Sequence, residues 1–150
     1  MENPTERAWK PLFDGKTKES VLRGEARGWK IDDGKLVRIP EINDAAQTKE
    51  VFTDGEVRIR FEVQDVYRMW FNLRQAETPG FAVSIEGDVK PLEGKPHDLV
   101  FRAKGDQVTA TLDGKPIPVA AAGGSSGVLQ FNGFGKRFAV LSIDFRPITP

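Results

Sequence analysis

One stretch of the sequence places an indole between charged and amide side chains at every second position. In segment 68–74 apolar residues alternate with polar ones, which is the pattern of a β-strand with one buried face. The inward set is Met69, Phe71 and Leu73. The alternation turns the other set to the opposite face of the sheet: Arg68, Trp70, Asn72 and Arg74. A flat indole flanked by guanidinium groups suits a sugar, because the ring stacks on C–H faces and the charged groups bind hydroxyls.

The following strand adds polar side chains to the same face. In segment 81–86 the apolar residues Phe81, Val83 and Ile85 point inward, which leaves Ala82, Ser84 and Glu86 outward. If the two strands pair, they form one predicted saccharide-binding set: Arg68, Trp70, Asn72, Arg74, Ser84 and Glu86. The alternative is that the charged members form cross-strand ion pairs around a tryptophan that covers the sheet or contacts a companion domain or protein partner.

Two residues are candidates for a catalytic base. Glu86 supplies the carboxylate of the polar face, and His97 stands between Pro96 and Asp98, so that this aspartate would orient its ring. A single histidine at the start of a strand is more often a surface or hydrogen-bonding residue. Both interpretations of His97 therefore stay open.

Composition excludes several kinds of site. The chain has no Cys and one His, which excludes disulfides, thiolate catalysis and metal sites built on cysteine. The Asp-Gly pairs at 14–15, 33–34 and 113–114 offer carboxylates to a divalent cation such as calcium, yet aspartate and glycine also belong in turns for backbone reasons. We predict no cofactor and no metal site, although these pairs leave a divalent cation open.

Charge and hydropathy limit the kinds of partner that the sequence predicts. The 150 residues include 22 Lys+Arg and 22 Asp+Glu, so there is no net basic field to attract nucleic acid. No apolar run approaches the roughly 18–20 residues of a membrane span.

Residues 1–4 lack the basic start and apolar stretch of a secretory signal, which leaves the cellular location open. The expected organisation is a loose N-terminus over 1–6 and a single β-sandwich domain over 7–150.

Short alternating segments separated by turn residues predict an all-β chain. Segment 57–63 alternates strictly, and Asp33-Gly34 and Asp113-Gly114 predict hairpins with tight two-residue turns. The core is expected to include Trp9 and Trp29. Further strands are predicted at 50–52, 67–74, 81–86, 98–103, 127–131 and 137–145. The predicted fold class is an antiparallel two-sheet jelly-roll sandwich.

Several sequence blocks resemble, in order, those of the 3-keto-disaccharide hydrolase family, whose members are concanavalin-A-like jelly-roll domains of the lectin and glucanase type. Segment 9–17 resembles the family's W-x-x-LFDGKT opening, and segment 29–37 is similar to its W-x-hydrophobic-x-DG-x-L hairpin. Weaker matches are segment 54–61, Leu73-Arg74, Gly80-Phe81, segment 103–106 and segment 127–133. The resemblance covers nearly the whole chain and implies a carbohydrate-associated protein, compatible with an exported bacterial one.

The polar signature of the family is largely replaced. Arg68-Met69-Trp70 stands where the family has N-S-G, Ala82 where it has a glutamate, and Asn132 where it has a histidine. The resemblance therefore leaves three functions open: an active glycoside-cleaving enzyme, a glycan-binding domain without chemistry, and a protein-interaction module.

The first of these functions generates a prediction. The family's activity, as the resemblance implies it, begins when a base removes the acidified proton beside a ketone at carbon 3, which expels the glycosidic oxygen. Because Ala82 and Asn132 replace the family's acid and histidine, we expect weak or absent elimination on 3-keto-disaccharides, measured by product analysis. Efficient turnover by the purified, metal-free protein would contradict this prediction and point to Glu86 or His97 as the base.

Overall fold

Two long strands run through the whole molecule and determine its shape. The structure is a computed structural model that describes residues 9–77, 79–86, 92–121 and 123–148. The strands are β1 Lys10–Pro11, β2 Trp29–Asp32, β3 Lys35–Arg38, β4 Ala46–Phe52, β5 Gly55–Gln75, β6 Phe81–Glu86, β7 His97–Lys104, β8 Gln107–Leu112, β9 Lys115–Ile117, β10 Ala120–Ala121 and β11 Gly127–Arg146. A 3₁₀ turn spans Lys18–Ser20. No helix among the described residues is long and apolar enough to cross a membrane.

The long strands β5 and β11 pair antiparallel along their lengths and bend together. Phe61 and Phe71 lie on the same strand, ten positions apart, and a straight strand of that length would span roughly 33 Å. Their ring centroids are 5.4 Å apart. The strand must therefore fold back over itself, so that its two halves face each other across the core.

Each half of the β5–β11 ribbon belongs to a different layer. The first half of β5 and the second half of β11 lie in a sheet with the order β2-β3-β11-β5-β7-β8-β9. The other halves pair with β4 and β6, and β6 pairs in turn with β10. The predicted all-β, antiparallel two-sheet sandwich is confirmed, and its two sheets are continuous through the two bent strands.

The predicted inward residues form the core. All of them are buried except Ile85, which is half-buried: Val57, Ile59, Phe61, Met69, Phe71, Leu73, Phe81, Val83 and Ile85. Trp29 is buried as predicted and packs edge-on against Phe131, with ring centroids 5.3 Å apart. These contacts bring side chains of both layers together.

Trp9 does not lie in the core, so this prediction was wrong. The guanidinium carbons of Arg58 and Arg146 lie 4.5 and 4.3 Å from the centroid of its ring. Trp9 precedes the short strand β1, which joins the outer end of β11 at Lys10 and Phe145. The indole is therefore held on an outer face by two cation–π contacts rather than by core packing.

The turns follow the sequence, whereas the strand breaks do not. Both Asp-Gly hairpins form, with positive φ angles at Asp33 and Gly34 and at Asp113 and Gly114. The breaks predicted between 63 and 67 and between 131 and 137 are wrong, because β5 and β11 continue through both regions. The apolar alternation fails there because the strands bend and shift register, not because they end.

The bend depends on a glycine. Gly135 has φ +148°, and a Cβ atom at this position would lie 2.2 Å from the carbonyl oxygen of Asp65 and 2.5 Å from Cα of Val66. Both contacts are with the backbone of the partner strand, which cannot move aside without breaking the pairing. Only glycine allows the two strands to approach this closely while they turn.

Gly135→Ala is therefore expected to be strongly destabilising. Backbone overlap adds to the unfavourable φ angle, and we expect a loss of about 3 kcal/mol in the free energy of unfolding. The control is Gly105→Ala, at φ +60° with open space around the added methyl group, which should lose only about 1 kcal/mol. Urea denaturation measures both, and equal losses would show that the close approach at Gly135 is unimportant.

Candidate functional site

The predicted polar face forms at the second half of the β5–β11 ribbon. We call it the Trp70 face and define it by nine residues in three cross-strand rows, taken from β11, β5 and β6 in that order. The rows are Gln130–Asn72–Ala82, Asn132–Trp70–Ser84 and Phe134–Arg68–Glu86. Directly paired residues share one side of a sheet. The register thus places five of the six predicted binding residues together: Arg68, Trp70, Asn72, Ser84 and Glu86.

Several polar groups on the Trp70 face have no hydrogen-bond partner among the residues that the structure describes. Trp70 is half-buried, and its indole N–H donates no hydrogen bond to any residue that the structure describes. The side chains of Asn72, Ser84 and Gln130 likewise have no hydrogen-bond partner within the described ranges. In folded proteins a half-buried indole N–H or side-chain amide usually forms a hydrogen bond. Because these groups form none with the described residues, they are available to a ligand or to water.

Asn132 sits in the middle row and is already held in place. Its Oδ1 accepts a hydrogen bond from the backbone N–H of Gly133 at 2.9 Å, and its Nδ2 donates to Oδ1 of Asn43 at 3.3 Å. It is 1% exposed although its row faces outward, because the chain after β3 covers it. The amide therefore contributes a fixed dipole beside Trp70 and no titratable group.

We call the outer face of the first half of the ribbon the closed face, because its charged side chains pair with one another. Arg58 donates two hydrogen bonds to Asp144, at 3.1 and 3.0 Å, and Arg60 donates two to Asp98, at 2.8 and 3.2 Å. Glu62 accepts from Lys35 at 3.0 Å and from Arg137 at 3.2 Å. This face is thus a set of paired charges that need no external ligand.

A groove near the bend does not provide a better site. It has a volume of about 470 Å³ and is lined by Glu62, Val63, Gln64, Glu93, Gly94, Lys95 and Arg137. Burial raises the pKa of Glu62, but hydrogen bonds from Lys35 and Arg137 outweigh this and hold the pKa below its usual value of 4.5. Glu62 and Arg137 therefore pair with each other, and Glu93 accepts a hydrogen bond from the backbone N–H of Asp65 at 2.7 Å.

Arg74 is the predicted binding residue that the structure removes from the face. It is 1% exposed and has φ +62°, so the chain leaves the strand path there and its side chain turns beneath the neighbouring loops. The guanidinium group donates to the carbonyls of Thr53, Gly105 and Gly124, at 2.6–3.3 Å, and to Asp54 at 3.3 Å. Arg74 connects three loops, and its predicted place in the outward row was wrong.

His97 is also far from the role predicted for it. It is 3% exposed and its ring packs against Phe61, which faces the core. Nδ1 contacts Oδ2 of Asp113 at 2.5 Å and Nε2 contacts the carbonyl oxygen of Leu92 at 2.7 Å. Both ring nitrogens therefore lie against protein oxygens in the interior and not against an open surface. The predicted orienting residue Asp98 instead pairs with Arg60.

Glu86 lies on the face but at its rim. Its side chain is 69% exposed, and its Oε2 is 3.9 Å from Nε of Arg68. The carboxylate is thus open to solvent and lies outside the central row of the face. No three or more acidic or histidine side chains converge on a possible metal position within the described part of the chain.

Sequence reasoning missed an aromatic and cationic cluster at the end of the face. Tyr67 is an extra residue in β5 between the pairs Arg68–Phe134 and Val66–Gly135, which makes a β-bulge. The bulge leaves Tyr67 exposed beside Arg68, with its ring 6.3 Å from that of Phe134. Arg38, the last residue of β3, also reaches Phe134. The predicted strand over 67–74 gave Tyr67 no face, and no pattern in the sequence pointed to Arg38.

Comparisons with known proteins identify the fold. No family model and no curated protein matches the sequence. A candidate glycosyl hydrolase from Parabacteroides distasonis is similar in structure, with a TM-score of 0.73, 13% identity and coverage of 99% of this chain and 98% of that one. A β-1,3-1,4-glucanase from a mouse hindgut metagenome has a TM-score of 0.58, 14% identity and 98% coverage of both chains. A Bacillus subtilis protein with a galectin-like fold has a TM-score of 0.55 and 13% identity, and the match covers 93% of this chain and 94% of that one.

These similarities confirm the jelly-roll type of the sandwich. The structural similarities show that the chain has the β-sandwich fold of glycosyl hydrolases and galectin-like proteins. The sequence identities are too low to transfer a function from these proteins to this chain. The resemblance to the 3-keto-disaccharide hydrolase family in particular stays a prediction.

The His97–Asp113 contact generates a pH prediction. Burial raises the pKa of Asp113, but hydrogen bonds from His97 and from the backbone N–H of Asp98 outweigh it and hold the pKa below the usual 3.8. A carboxylate with a lowered folded-state pKa stabilises the fold above its unfolded-state pKa, and this stabilisation is lost as the pH falls through the folded value.

Asp113→Asn should therefore be less stable than wild type near neutral pH, and the difference should shrink below about pH 4. Thermal unfolding from pH 7 to pH 3 measures this difference. A matched control is Asp106→Asn, at an exposed turn position for which the structure shows no side-chain contact. A difference that stays constant over this range would contradict the assigned role of the carboxylate.

Proposed function

We propose that this chain is a saccharide-binding β-sandwich whose ligand lies on the Trp70 face. The observation that carries the proposal is the contrast between the two outer faces. On one face the charged side chains are paired, and on the other an indole lies among amide and hydroxyl groups that have no partner within the described residues. Hydroxyl-rich ligands with apolar C–H faces fit the second arrangement.

The structural neighbours support a saccharide as the ligand class. A LamA variant from Zobellia galactanivorans has been solved in complex with laminaritriose and laminaritetraose, and it shares this fold with a TM-score of 0.51 at 11% identity. Two further neighbours are described as a glucanase and as a protein with a galectin-like fold. The same fold thus binds oligosaccharides in another protein. In this chain, an oligosaccharide would bond to the polar groups of the Trp70 face that have no partner among the described residues.

The residues of the Trp70 face favour binding over cleavage. A base that removes a proton beside a ketone must reach the substrate, and an enolate needs a nearby positive group. Ala82 and Asn132 occupy the face without an acid or a base, Glu86 is at the rim, and His97 is held in the other half of the molecule. Retention of the ligand without efficient turnover is the function that these side chains support.

The role of Trp70 can be tested directly. Stacking of one sugar face covers roughly 60 Å² of apolar surface, worth about 1.5 kcal/mol, so Trp70→Ala should weaken binding about ten-fold. Trp9→Ala is the matched control, since Trp9 lies on the closed face between two arginines and should leave affinity unchanged. Calorimetric titration against laminari-, cello- and galacto-oligosaccharides measures this.

Two outcomes would contradict the proposal. One is the absence of binding by the wild-type protein to any saccharide of a broad panel. The other is binding that Trp70→Ala leaves intact while Trp9→Ala removes it, because the ligand would then lie on the opposite face.

A further inference from the structure

Arg38 is a buried cation without an adequate partner. It is 5% exposed, and its Nε has no hydrogen-bond partner although it is shielded from solvent. The described residues give its side chain no hydrogen bond and no ion pair, and its guanidinium carbon lies 5.0 Å from the centroid of the Phe134 ring. A buried polar atom that stays unpaired destabilises the protein, so its retention needs an explanation.

The surroundings of Arg38 do not supply the missing anion. Burial lowers the pKa of Arg38 from its ordinary value, and the nearby Tyr67 and Glu41 act in the opposite direction without making a direct bond. Glu86, the carboxylate of the Trp70 face, interacts with Arg68 instead. The Nε–H of the guanidinium group is thus shielded from solvent without the hydrogen bond that normally compensates a buried polar group.

A second arginine points to the same ring. The guanidinium carbon of Arg68 lies 5.9 Å from the centroid of Phe134, and its ion pair with Glu86, the one it forms with a described residue, is long at 3.9 Å. The β-bulge at Tyr67 adds an exposed aromatic ring beside Phe134. Two cations and two aromatic rings therefore meet at the end of the Trp70 face, one row from Trp70 itself.

We infer that this end of the face recognises an acidic substituent on the bound saccharide, a carboxylate or a sulfate, held by Arg38 and Arg68 beside Phe134. The inference rests on the proposed function, since it assigns a ligand class to the same site. Guanidinium groups bind planar carboxylates and sulfates through charge-assisted hydrogen bonds. Phe134 and Tyr67 cover the apolar side of the sugar ring that carries the acidic group.

The experiment compares neutral and acidic forms of one saccharide. Neutral laminari-, cello- and galacto-tetraose are each titrated against the wild-type protein beside the product of oxidation at carbon 6, which carries carboxylates, and beside the sulfate ester. At least one acidic form should bind ten-fold or more tightly than its neutral parent, the effect of one charge-assisted hydrogen bond. The preference should diminish as the ionic strength rises.

Matched arginine variants assign the preference to the site. Arg68→Gln should abolish the preference, so that the acidic and neutral forms of the saccharide bind this variant with equal affinity. Arg102→Gln is the control, because Arg102 is 54% exposed against 51% for Arg68 and has an equally long ion pair, 3.8 Å from Glu56 on the closed face. Arg38→Gln should act like Arg68→Gln, and if it unfolds the protein, the exposed Arg68 still decides the result.

The outcomes separate this inference from the proposed function. Binding of neutral and acidic forms with equal affinity, lost in Trp70→Ala, would overturn the inference and leave the proposed function standing. An acidic preference that survives Arg68→Gln would also overturn it. Absence of binding to all forms would overturn both. Preference for the carboxylate or for the sulfate identifies which acidic group the site takes.

Discussion

The close approach of Gly135 to the backbone of Asp65 and Val66 is the constraint on which the rest of the structure depends. At this point two paired strands turn together from one layer of the sandwich into the other. The turn brings Phe61 and Phe71, which lie on one strand, into contact across the core. Core, layers and outer faces all follow from a bend that a larger residue at position 135 would obstruct.

The same bend shapes the candidate site. Where the register shifts beside Gly135, β5 carries one residue more than its partner, and the extra residue Tyr67 turns outward. Beyond the bulge the regular alternation resumes and carries Arg68, Trp70 and Asn72 to the outer face. A local irregularity that the bend requires therefore also places an aromatic ring next to a row of polar groups, and one backbone feature serves both stability and recognition.

Regular strand geometry could be predicted from the sequence, and long-range geometry could not. Alternation placed Trp70 and Ser84 on one face, where the strand pairing also has them, because a period of two is a local property of the chain. Arg74 escaped this reasoning since its positive φ angle and its carbonyl partners at Thr53, Gly105 and Gly124 arise only when distant loops meet. His97 escaped it for the same reason: its partner is Asp113, across a hairpin, and not the adjacent Asp98.

The shared strands also govern how the chain can reach this structure. Glu56 and Arg146 pair across ninety positions of sequence, and contacts of such separation make folding slow, on the scale of milliseconds to seconds. β11 follows every other described strand. While β5 has emerged from the ribosome and β11 has not, the nascent chain contains a long strand whose edge has no partner. Neither layer can close before the last strand arrives. The interval before β11 emerges from the ribosome is thus the period in which this protein is most exposed to misassociation with other chains.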